Sequence, residues 1–215
     1  RRGDHQAARA AEELVLSGDR HVTDEVVLRR RVAPQPVPSL YSGGDCGACV
    51  LAGMLGIAVA DAYGFRRDRE VSAFSWSEMN AALWRTQAHG LIDRLVDDVP
   101  RWMVSDAVRT YGDLATQQSI GWFRYVTMAL DGGCYGICSV DSERRGPRAG
   151  TIDHWVMLVG ARRVEVPMEH GSRIDQEILV SNSSAQFPPE EWVGVNDFLG
   201  DWGGFNVLLA RPRQA

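Results

Sequence analysis

Up to Gly133 the apolar positions mostly follow a helical spacing, and after it they fall into short, β-prone runs. Residues 4–16, DHQAARAAEELVL, predict a short helix that the following SGD ends. Residues 25–32, EVVLRRRV, read as extended, and 33–44, APQPVPSLYSGG, hold too much proline and glycine for a helix. From Cys49 onward Val50, Leu51, Met54, Leu55 and Ala58 recur three or four apart, which predicts one buried helical stripe. Ser77 is placed to cap a helix running to about Ala88. Helical patterns follow in RWMVSDAVRTYG (101–112) and SIGWFRYVTMALDGG (119–133), the second closed by a glycine pair.

Beyond Gly133, CYGICSV (134–140), HWVMLVGA (154–161), EILVSN (177–182) and FNVLLARP (205–212) predict strands separated by polar or glycine-bearing turns. Helices first and strands second give an α+β chain, with a helical N-terminal half, a sheet-forming C-terminal half, and a site expected in the cleft between them. The helix and extended segment of residues 1–40 are set apart from a main domain spanning 41–215. Trp192, Phe198, Trp202 and Phe205 have the spacing of a helix followed by a strand, so core packing is expected over a substrate groove.

Composition narrows the class. At 215 residues with 45% hydrophobic and 24% charged content, the chain can bury a full core. A net charge of -5 argues against nucleic acid as a partner, because phosphate contacts need a basic face. No tract is apolar enough to suggest a membrane span. Four cysteines do not make a disulfide framework. The chain starts at Arg1, which is compatible with removal of a leader, a pro-segment or a larger parent. A cytoplasmic setting is favoured, with a secreted protein or effector domain as the alternative.

Two of those cysteines stand in GGDCGACVLAGMLGIAVA (43–60), where a glycine-rich loop meets an apolar run. Cys46 and Cys49 with Cys134 and Cys138 count as four zinc ligands, but both pairs adjoin hydrophobic runs and not the polar knuckles of structural zinc sites. Burial as small hydrophobes is the plain alternative. A thiol in the first turn of a helix sits at the positive end of the dipole, and it becomes a nucleophile given an imidazole in reach and a third group to orient that ring. His5, His21, His89 and His170 occupy polar or turn-like contexts, whereas His154 opens a strand. Asn182 ends the next strand, as a tautomer-fixing partner for the imidazole or as a turn residue.

Taken in that order, the chain resembles the papain-like cysteine peptidases. GGDCGACV resembles the run that opens their central helix, TIDHWVMLVGA their histidine strand, LVSNSS their asparagine segment and DWGGFNVLLAR their final strand. The helix and strand in MALDGGCYGICSVD are similar in kind, so the anchors run from Gly43 to Arg211. The resemblance implies a papain-like α+β fold with an antiparallel sheet half, nucleophile Cys49, base His154 and orienting Asn182. DCGACVL is also similar to the leader-cleaving peptidases of bacteriocin export and to papain-fold glutamine deamidases, in which the first cysteine attacks; that alignment implies Cys46. The family's oxyanion glutamine, six residues before the nucleophile, falls at Gly43, with Gln35 as a substitute if the loop folds back. The tryptophan expected after the asparagine-serine pair is replaced by Ser184 and Ala185.

The expected chemistry is thiol-mediated acyl transfer from an amide through an acyl-thioester. Water as acceptor makes a cysteine peptidase or amidase, an amine makes an acyltransferase or transglutaminase, and a glutamine side chain as substrate makes a deamidase. A peptide, a protein or an acyl-carrying small molecule is the expected substrate, with no cofactor and no metal. The rival from another class is a binding protein that keeps the fold without the chemistry, which Gly43 in place of glutamine favours.

Overall fold

The computed structural model describes residues 20–40, 44–67, 74–96, 112–144, 153–185 and 187–214, with side chains in the helix that opens at 112 described from 119 on. The helix expected over 4–16 and nearly all of the one over 101–112 lie outside these residues. The described elements are β1 (His21–Val27), α1 (Cys46–Leu55), α2 (Val59–Ala62), a 3-10 turn (Tyr63–Phe65), α3 (Trp76–Ala88), β2 (Ile92–Val96), α4 (Gly112–Asp131), β3 (Tyr135–Val140), β4 (His154–Met168), β5 (Gly171–Ser181), β6 (Glu190–Gly194), α5 (Val195–Gly200) and β7 (Val207–Pro212).

The α+β class is observed. All seven strands join one antiparallel sheet, ordered β2-β7-β3-β4-β5-β6, with β1 added to β4. The division into a helical and a sheet half is incomplete, because β1 and β2 come from the first half of the chain. β4 is long enough to serve two partners along one edge. It pairs with β3 from His154 to Leu158 and with β1 from Gly160 to Glu165, while β5 runs along its other edge.

The sheet separates two apolar layers, as a sheet buried on both faces requires. On one face α1 and α3 pack Leu51, Met54, Met79 and Leu83 against Trp155, Met157, Val159 and Leu208. On the other, α4 and α5 pack Trp122, Phe123, Leu130 and Phe198 against Val140, Val156, Leu158 and Leu209. Full burial of one such side chain contributes roughly 1.5–3 kcal/mol. Phe198 and Trp202 are therefore core residues, as the aromatic spacing predicts.

Helix α1 is buried on nearly every side, with Ala48, Cys49, Val50, Leu51 and Met54 at or below 1% exposure. It begins at Cys46, three residues before the expected start, and ends at Leu55 where Gly56 adopts a left-handed cap (φ 71°). Ala58 thus falls outside the helix and is exposed. Gly53 lets α1 lie backbone to backbone on residues 31–33: a Cβ there would stand 2.0 Å from the Arg31 carbonyl oxygen. Ala33 N donates to Cys49 O at 3.0 Å across this contact. Helix α3 is capped by Ser75 and not Ser77, its Oγ accepting from Glu78 N at 3.2 Å.

Candidate active site

Helix α1 points its N-terminus at the end of the sheet where β4 begins and β5 stops, so the two cysteines meet the histidine and asparagine segments there. Cys46 takes the first helical position and is partly buried; Cys49, one turn on, is fully buried. The thiol of Cys46 interacts with the backbone amides of Cys46, Gly47 and Trp155, the residue after His154. Burial still raises its pKa, with Asp153 adding a smaller push in the same direction, while those amides oppose the rise. The first amides of a helix have no intrahelical acceptor, so two of these three donors are free by construction.

Cys49 has a different setting. Its Sγ lies 3.7 Å from the Pro34 carbonyl oxygen, and the Ser183 side chain reaches it from beyond β5. Burial, and then the charges at Asp45 and Cys46, push its pKa up to about 12. The Asp45 carboxylate is itself buried, accepting from Ser39 Oγ at 2.6 Å, Leu40 N at 3.0 Å and the Tyr63 hydroxyl. It ties the incoming loop to the helix start, and its negative charge opposes a thiolate at Cys49.

His154 is buried at 8% exposure. Burial lowers its pKa, while Asp153 and the side-chain amide of Asn182 favour the protonated ring. Side chains alternate along a strand, and His154 faces its partner Val140 and the next-but-one residue Val156, both in the α4–α5 layer. A small cavity on that side is lined by His154, Asn182, Arg144, Phe187 and Trp202. The imidazole and Phe187 ring centroids are 6.5 Å apart, and the Arg144 guanidinium sits 5.1 Å from Phe187 and 4.2 Å from Trp202. Arg144 also pairs with Glu191 of β6 at 2.7 Å. Nε2 of His154 has no hydrogen-bond partner among the described residues, and no hydrogen bond there joins the ring to either thiol.

Asn182 serves its own loop, with Oδ1 accepting from Ser184 N at 2.6 Å and Nδ2 donating to Pro188 O at 2.5 Å. Asn182 is thus a turn residue, as one of the two sequence readings has it, and its side chain also lies beside the imidazole of His154. Gln35 Nε2 donates at 3.5 Å to the Oγ of Ser183, the residue whose side chain reaches Cys49. Gly43 lies outside the described residues.

The structure thus brings Cys46 to the residue after His154 and Cys49 to the residue after Asn182, with the imidazole turned toward the second layer. The four cysteines divide between the two faces of the sheet, Cys46 and Cys49 on one and Cys134 and Cys138 on the other, so they assemble no tetrad. Among the described residues no three histidine, cysteine or acidic side chains cluster as metal ligands, and no single helix is long and apolar enough to cross a membrane. Asp45 was not anticipated as a neighbour of the site, although an acidic residue directly before a helix start carries a legible signal. Compared with models of known protein families and with curated proteins, the chain matches none.

Proposed function

We propose that the chain is a thiol-dependent amide hydrolase of papain-like design, with Cys46 as nucleophile, His154 as base and Asn182 as the group that orients the ring. The observation that supports it is Cys46, partly buried at a helix start, its thiol among backbone amides and next in space to the histidine strand. Cys49, the residue that the papain resemblance implies, is buried and beside Asp45, so it suits packing better than attack. In this reading His154 rotates out from under Phe187 and takes the Cys46 proton. The sulfur then bonds to the amide carbonyl carbon, and the oxyanion rests on the amides of the first helical turn. His154 returns the proton to the leaving amine as the C–N bond breaks, and water releases the acyl group from the thioester. An amine in place of water gives acyl transfer, and a glutamine side chain as substrate gives deamidation by the same steps.

A second reading, a binding protein without chemistry, is favoured by one feature: the imidazole is buried on the far layer with no bond to a thiol. Iodoacetamide alkylation across pH separates the two. The hydrolase reading expects Cys46 to label with a limb set by His154 that disappears in His154→Ala. Slow labelling, identical in both proteins at every pH, would sink it.

A further inference from the structure

At the other end of β3 from the thiols, the sheet has a notch. β1 ends at Val27 and β3 begins at Tyr135, and both lie on the same edge of β4, leaving a gap between them. An open groove of about 930 Å³ occupies the gap, walled by Arg29, Arg30, Arg211 and Arg213 against two carboxylates, Asp93 and Asp131.

Arginines elsewhere on this sheet meet acids. Arg20 and Arg162 both bind Glu177, Arg163 is 3.0 Å from Asp24, and Arg173 is 2.7 Å from Asp175. The notch is different. Arg29 is exposed and has no ion pair among the described residues. Arg213 stands 4.0 Å from Asp93, at the limit of an ion pair. Arg211 donates to Gly132 O at 3.4 Å, and its Nε is buried with no partner among the described residues. Arg94 lies directly across from Arg211 in the β2–β7 pairing, a like-charge arrangement that disfavours the sheet unless an anion relieves it. Arg30 is held in place at the wall, its guanidinium on the Met54 carbonyl and its N–H on the Tyr135 hydroxyl at 3.0 Å.

We propose that this notch binds a small molecule carrying two or more phosphate groups, bridging Arg29 and Arg211. Guanidinium forks match phosphate oxygens in pairs. Four guanidiniums against two carboxylates leave the notch net positive, and the attraction grows with the charge an anion brings, so a concentrated multiple charge is favoured over a single one. The site is independent of the thiol chemistry proposed above and stands or falls without it.

Inorganic tripolyphosphate titrated into the full chain in a calorimeter tests the proposal, with citrate as a carboxylate of comparable charge. Saturable one-to-one binding is expected, weakened about tenfold or more by Arg211→Gln, since charged hydrogen bonds are lost. The pair Arg29→Gln with Arg213→Gln, both exposed, is expected to do the same and serves if Arg211→Gln does not fold. Arg173→Gln, on the paired surface, should leave binding unchanged. No saturable heat at matched ionic strength would overturn the site. So would an equal loss in Arg173→Gln, which would mean diffuse attraction, and citrate binding as tightly as tripolyphosphate would overturn the assignment to phosphate.

Discussion

Exposing the native protein to a small aromatic disulfide such as 4,4′-dithiodipyridine at about pH 8 distinguishes the two thiols of α1 by their surroundings. For Cys49 the rise from an ordinary 9.0 to about 12 leaves about a thousandfold less thiolate at that pH. The remaining thiolate is more basic and so more nucleophilic, which at a Brønsted slope of about 0.4–0.5 returns about twentyfold. The net is a rate about fiftyfold below that of an unperturbed thiol, before access is counted. Access lowers it further, because Cys49 is at 0% exposure while Cys46, at the helix start, is only partly buried. One fast reaction is therefore expected, mapped to Cys46 by peptide mass, with Cys49 reacting only on unfolding. Cys46→Ser should abolish the fast phase and Cys49→Ser should leave it. The reverse pattern would refute the reasoning, since it would mean that neither burial nor Asp45 holds Cys49 protonated, and the nucleophile would revert to Cys49.

Two further outcomes follow from the packing. Gly53→Ala drives a Cβ to 2.0 Å from the Arg31 carbonyl oxygen and 2.7 Å from Ala33 N, and backbone on both sides leaves no side chain to yield. A loss of about 1–3 kcal/mol in urea unfolding is expected, as for other overpacked contacts; an unchanged midpoint would show that α1 does not rest on residues 31–33 as described. Burial depresses the His154 pKa below its ordinary 6.5, so the unfolded chain binds this proton more tightly. The stability contributed by the neutral ring is complete above about pH 6.5 and is lost as pH falls through the lower folded value. Between about pH 7.5 and pH 5 the urea midpoint of His154→Gln should accordingly fall less than that of the wild type, and an equal fall would place the ring in water.

The sequence by itself determined which segments are helix and which strand wherever periodicity was strong. The runs at 134–140, 154–161 and 177–182 became β3, β4 and β5, and the apolar stripe after Cys49 became the body of α1. It also marked residues that gather at one end of the sheet, because His154 opens a predicted strand, Asn182 closes the next, and Cys46 and Cys49 stand where a glycine-rich loop meets an apolar run. Short strands were less legible. β2 and β6 have five residues each, too few for a period to stand out, and they form because β7 and β5 offer open edges.

Only the tertiary structure decided which thiol meets solvent and which way the imidazole turns. The choice between Cys46 and Cys49 depends on where α1 begins, a matter of three residues that an unbroken apolar run cannot mark. Burial, and after it Asp45, holds Cys49 protonated, and that buried carboxylate is fixed by Ser39 and Leu40 from one part of the chain and Tyr63 from another. The orientation of His154 follows from the register of β4 against β3, since a shift of one residue would move every side chain to the opposite face. Such contacts are set by the sum of all the packing and not by any local pattern, which is why the candidate residues were legible in the chain and their roles were not.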